Sequence, residues 1–115
     1  MSHGPLANLA KIVDAKSKRI SSYDRSGGNH DCAAIEVGGT LVMAEMQGAG
    51  IVKHIWITIS SEDPLVRKNL VLRMYWDGCE HPSVEAPIGD FFGQGWGEKY
   101  NFISAPLSAA PKEGN

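Results

Sequence analysis

The sequence predicts an all-β, mainly antiparallel fold: a jelly-roll β-sandwich preceded by one short helix. From Cys32 onward apolar residues recur with period two, Gly- and Pro-bearing turns separate the runs, and helical spacing is confined to the first 20 residues. A generous count gives about six strands, against roughly eight in a complete jelly roll. The expected organisation is therefore a helical segment over residues 1–20, a partial first jelly roll over 21–107 and an irregular tail over 108–115.

Pro5, Leu6, Leu9, Ala10 and Val13 fall at the spacing of a short amphipathic helix, with Lys11, Asp14, Lys16 and Lys18 on its wet side. "SYDRSGGNHD", Ser22 to Asp31, reads as a loop, since Ser, Asp, Asn and Gly-Gly favour turn geometries. "CAAIEV" and "LVMAEM" are predicted strands separated by "GGT", and "QGAG" is a further turn. In "IVKHIWITIS", Ile51, Ile55, Ile57 and Ile59 share one face, while Val52, His54, Trp56, Thr58 and Ser60 share the other. "SEDPLVRKN" is a polar connection with a helical turn after Pro64, and "LVLRMYW" is a strand ended by a turn at Asp77-Gly78. The stretch from His81 to Phe102 is rich in Pro, Gly and aromatics; it predicts a shaped loop with a short strand over 83–86. A last short strand is expected over 101–104.

Composition narrows the function classes. The 115 residues are 43% hydrophobic and 21% charged, which fits a globular domain. A net charge of -2 with interspersed signs offers no field for a phosphate backbone, so no nucleic acid partner is expected. The apolar runs fall far short of the roughly 18 residues of a spanning helix, and no membrane partner is expected. The N-terminal residues show no basic start followed by an apolar stretch, which predicts a cytoplasmic setting. The two cysteines, Cys32 and Cys79, read as small buried hydrophobes of a reducing compartment.

Familiar chemical signatures do not occur. The four histidines, His3, His30, His54 and His81, are scattered without metal-ligand spacing, so no metal site is expected. No GxSxG elbow is present, and "GGNHD" lacks the Walker lysine and hydroxyl residue. Asp24, Arg25, Asn29 and Asp31 offer acceptors and donors suited to adjacent sugar hydroxyls. The competing reading closes an Asx-type turn with Asp24 and Asn29 and pins it through Arg25. His54, Trp56, Arg73 and Tyr75 converge if their two strands pair, giving a stacking surface with polar rims; otherwise they pack the core and edges. Glu85 and Asp90 are carboxylates of the kind used in glycoside cleavage, but their sequence separation does not fix their distance.

"SSYDRSGGNHD", "GAGIVKHIWITI", "LRMYWDGCEHPSVEAPIGDFFGQGWG" and "NFISAPLS" occur in an order and spacing that resemble glycoside hydrolase family 172, formerly domain of unknown function 2961. The resemblance covers about Ser21 to Leu107. It implies a double jelly roll assembled into trimers or multiples of them, acting on a carbohydrate substrate. The implied activity is on α-linked furanosides of the α-D-fructofuranoside or α-D-arabinofuranoside type, by a retaining mechanism with two glutamates and no cofactor. By the resemblance that glutamate pair lies downstream of the matching stretch, so no catalytic residue maps onto this chain and Glu85 is not promoted to the role. The implied substrate contacts are Asp24, Arg25, Asn29 and Asp31 in the first loop and Asp90, Phe91, Phe92 and Trp96 in "GDFFGQGWG"; the strand-face reading adds His54 and Trp56. A non-catalytic carbohydrate-binding domain and a purely structural assembly segment are the alternatives.

Overall fold

The structure is a computed structural model that describes residues 7–111. The chain divides into two units, Met1–Ile51 and Val52–Asn115.

Regular structure lies in the second unit and begins with an aspartate. The Asp63 carboxylate accepts from Leu65 N at 2.8 Å and from Asn69 Nδ2 at 2.8 Å, which turns the chain into helix α1, Val66–Asn69. These bonds, the Asn69 amide foremost, hold the Asp63 carboxyl below the usual carboxylate range. Strand β1, Val71–Met74, follows directly and pairs antiparallel with β2, Val84–Pro87, in the register Val71–Pro87, Leu72–Ala86, Arg73–Glu85 and Met74–Val84. The connection turns at Asp77-Gly78. Both take positive φ, 53° and 72°, and Cys79 N donates to Trp76 O at 3.0 Å, the geometry Asp-Gly adopts most readily.

Pro87 ends β2, and helix α2, Ile88–Phe91, starts at once, with Ile88 N donating to Leu70 O at 2.8 Å. The two helical turns meet at Gly89, where a Cβ would stand 2.9 Å from Arg67 Cβ and 3.0 Å from Arg67 O. Only glycine allows that approach. Leu72 and Ile88, 5% and 4% exposed, form the apolar core beneath β1 and α2. A second two-stranded sheet pairs β3, Phe102–Ile103, with β4, Ser108–Ala109.

Four sequence expectations are realised here: the turn after Pro64 as α1, "LVLRMYW" as β1, the strand near 83–86 as β2 and that near 101–104 as β3. Others are corrected. The helix expected in the first 20 residues is absent from its described part, where 7–10 form a turn and Leu9, Ile12 and Val13 are 78%, 100% and 73% exposed; Pro5 and Leu6 lie outside the described residues. A short amphipathic stripe is not helical in water without a surface to bury it. "CAAIEV", "LVMAEM" and "IVKHIWITIS" carry no strand ladder among the described residues. Among the described residues β1 pairs with β2 alone and residues 51–60 form no strand, and the pairing that would bring His54 and Trp56 beside Arg73 and Tyr75 is not formed. Cys32 and Cys79 are exposed rather than buried. The tail is not wholly irregular, since Ser108 and Ala109 pair with β3.

With so few buried side chains, each one counts. Leu72→Ala is expected to lower the unfolding free energy by about 2 kcal/mol or more. Val71→Ala, at a neighbouring position 40% exposed, should change it by less than about 0.5 kcal/mol. Urea unfolding followed by tryptophan fluorescence compares the two.

Candidate functional site

The loop Ser22–Asp31 is organised by its own acids. Asp24 Oδ1 accepts from Ser26 N at 2.9 Å and Ser26 Oγ at 2.6 Å, and Asp24 Oδ2 accepts from His30 N at 3.2 Å. Asp31 Oδ1 accepts from Asp24 N at 2.7 Å, closing the loop from its far end. Gly27 and Asn29 supply the positive φ values, 78° and 61°. The hydroxyl of Ser26 first, then the amides of Ser26 and His30, holds the Asp24 carboxyl below the usual carboxylate range. Arg25 forms no ion pair with a carboxylate among the described residues; its guanidinium lies 5.9 Å from the centroid of the Tyr23 ring. Beside it, Arg19, Ser21 and Tyr23 line an open hollow of about 410 Å³.

The loop "GDFFGQGWG" belongs to the second unit and is built differently. Here the backbone carbonyls are captured by side chains from elsewhere in the chain. Arg67 donates from Nε and Nη2 to Gly97 O at 3.0 and 2.8 Å. Lys68 Nζ donates to both Asp90 carboxylate oxygens at 2.9 and 2.8 Å, and also to Gly95 O. Gln94 is buried, its side chain donating to Tyr100 O at 2.9 Å, and Tyr100 Oη donates to Gly93 O at 2.5 Å. Phe91 and Phe92 are half-buried and meet edge to face, with ring centroids 5.1 Å apart. Trp96 stands out from this scaffold, 87% exposed.

His54 and Trp56 lie on the exposed parity of residues 54–60, while Ile55, Ile57 and Ile59 are half-buried. The period-two reading thus survives in the exposure pattern. Arg73 donates from Nε to Glu85 Oε2 at 2.5 Å as a cross-strand pair between β1 and β2, a bond that raises the Arg73 pKa. Among the described residues no group of His, Cys, Asp and Glu is arranged to hold a metal ion, and no helix is long and apolar enough to cross a membrane.

The structure thus brings Asp24, Asn29 and Asp31 together in one loop, and Asp90, Phe91, Phe92 and Trp96 in another. Sequence reading missed Arg67, Lys68, Gln94 and Tyr100, which shape the second loop. Arg67 and Lys68 reach partners 22 to 30 residues away, so periodicity carries no trace of them. The repeated glycines of this stretch signal only a shaped loop.

Comparison with protein families matches residues 13–114 to the GH172 first beta-sandwich domain. The chain belongs to glycoside hydrolase family 172. The match spans both loops and fixes the class as β-sandwich, within a family of glycoside hydrolases. Comparison with curated proteins returns no match.

The Asp24 loop has a pH signature. Its carboxyl is held lower in the folded loop than in an unfolded chain, so ionisation favours the ordered loop at neutral pH. That preference should fade as pH falls through the ordinary carboxylate range toward the depressed value. NMR of the Ser26 and His30 amides is expected to show the shift moving with pH in the native chain, and to show no such transition in Asp24→Asn.

Proposed function

We propose that this chain is the sugar-contacting first β-sandwich domain of a hydrolase acting on α-linked furanosides of the α-D-fructofuranoside or α-D-arabinofuranoside type. The observation that carries the reading is the family match across residues 13–114. The exposed indole of Trp96, set among glycines, gives it a physical foothold: an aromatic face stacks on the apolar side of a sugar ring, and neighbouring polar groups meet the hydroxyls. Asp90, Phe91 and Phe92 accompany Trp96 as one wall. Asp24, Arg25, Asn29 and Asp31 form a second candidate contact region, and His54 with Trp56 a third.

Retaining cleavage needs two carboxyl groups about 5–5.5 Å apart, one to protonate the leaving oxygen and one to attack the anomeric carbon. In this reading the glutamates that do so lie outside the matching stretch. The jelly roll is completed by further strands, and the active assembly is a trimer or a multiple of one.

A second reading, a non-catalytic carbohydrate-binding domain, is favoured by the commitment of Asp24, Asp31, Glu85 and Asp90 to hydrogen bonds within the chain.

Calorimetric titration with methyl α-D-fructofuranoside and methyl α-D-arabinofuranoside tests both readings. One of the two is expected to bind, and Trp96→Ala to weaken binding about tenfold, the scale of one aromatic stacking contact. Aryl α-furanosides separate the readings. No turnover is expected from these 115 residues alone, whereas robust turnover would place the catalytic pair inside them.

A further inference from the structure

Trp96 lies between Gly95 and Gly97, and Gly97 takes a φ of +75°. Two flanking glycines ordinarily leave a side chain free to swing. Here both flanking peptides are tied down. Lys68 Nζ donates to Gly95 O, and Arg67 Nε and Nη2 donate to Gly97 O at 3.0 and 2.8 Å. Gly97 N returns to Gln94 O at 3.1 Å, and Gln94 is itself buried. The Lys68 stem lies so close that a Cβ on Gly97 would come within 3.2 Å of Lys68 Cγ. The backbone is fixed while the ring it carries is 87% exposed.

From this geometry we propose that Arg67 and Lys68 are positioning residues that hold residues 94–97 so that the Trp96 indole is presented as a rigid stacking face for a sugar ring. The inference rests on the sugar-stacking reading of Trp96. A ligand that meets a preset ring does not have to order it, and the saving appears directly as affinity. Lys68 also sets the charge around the ring. By holding both oxygens of Asp90 at 2.9 and 2.8 Å it balances the one carboxylate of that loop. An uncharged ligand such as a glycoside therefore meets no unpaired charge from Asp90.

The test uses the intact chain and two variants. Arg67→Ala removes both bonds to Gly97 O. Lys68→Met keeps the packed stem and removes the ammonium, so it retains the fold should Arg67→Ala lose it. Relaxation of the Trp96 indole N–H, identified by its absence in Trp96→Ala, reads the mobility of the ring without any ligand. Titration with the methyl α-furanoside bound by the native chain reads affinity. Both clamp variants are expected to mobilise the indole and weaken binding roughly two- to tenfold, the range for ordering one side chain. If Trp96→Ala loses binding while both clamp variants leave mobility and affinity unchanged, the positioning role is overturned and the sugar reading stands. If Trp96→Ala leaves sugar affinity unchanged, the sugar reading fails; indole mobility alone then decides the clamp, and an unmoved indole overturns it.

Discussion

The second unit depends on satisfying the peptide carbonyls of a glycine-rich segment that starts in α2 and beyond it forms neither helix nor sheet. Between Gly89 and Tyr100, carbonyls that would take ladder partners in a strand are met by Arg67, Lys68, Gln94, Tyr100 and the backbone amide of Gln94. The magnitudes rank these contacts. The Lys68–Asp90 pair is more than a third exposed on both sides, which limits it to about 0–1 kcal/mol. The two bonds from Arg67 share Gly97 O, are part-buried and charge-assisted, and together are on the order of 1.5–3 kcal/mol. Arg67 is thus the principal fastener of the loop, and Lys68 chiefly sets its local charge. Because α1 carries both cations and packs at Gly89 against α2, placement of the loop is a consequence of the small core at Leu72 and Ile88.

A different constraint governs residues 32–60. Their side chains alternate as strands do, yet the backbone bond described in this stretch is the turn from Gly39 N to Glu36 O at 2.8 Å. Alternation is a local property of the sequence; a ladder needs a second strand in register. Ile55, Ile57 and Ile59 keep to the more covered parity while His54, Trp56 and Thr58 stay exposed, which is the facial segregation a β-sandwich requires. Family membership supplies the architecture this pattern serves: inner faces of two sheets, packed against each other.

This difference explains what was legible in the sequence. Local chemistry was. Asp77-Gly78 turned where the dipeptide predicts, the helical turn after Pro64 formed, and Leu72 and Met74 took the inward parity of β1. The loop character of "SYDRSGGNHD" was equally plain, and Asp24 makes the Asx-type bond to Ser26 N expected of a turn. Partner choice was not legible. The sequence left open whether β1 pairs with the isoleucine segment, whereas Arg73 and Glu85 mark a register with β2 that depends on where a Pro-rich connection returns. The first helix was misread because its stripe shows amphipathicity without showing a surface to cover it. Trp96 stands out in the sequence as an aromatic of "GDFFGQGWG", but the cations that hold its neighbouring carbonyls do not, since Arg67 and Lys68 look like ordinary solvated residues of a polar connection.

The carboxylates argue for a division of labour. A glycosidase acid must hold a proton near neutral pH, which requires burial or a like charge to raise its pKa, and its partner must face the same point in space. Asp24 and Asp63 are shifted the opposite way, each stabilised as an anion by donors from its own turn. Asp31 is bonded to the Asp24 amide, Glu85 to Arg73 and Asp90 to Lys68. An anion used in this way is a structural acceptor, and protonating it would loosen the loop it organises rather than prime it to donate. The Trp96 ring, 87% exposed, carries no charge, and in the proposed reading its contribution depends on where it is held rather than on a state of ionisation. Under the proposed function, that arrangement suits a surface that orients a neutral glycoside while other carboxyl groups cleave the bond.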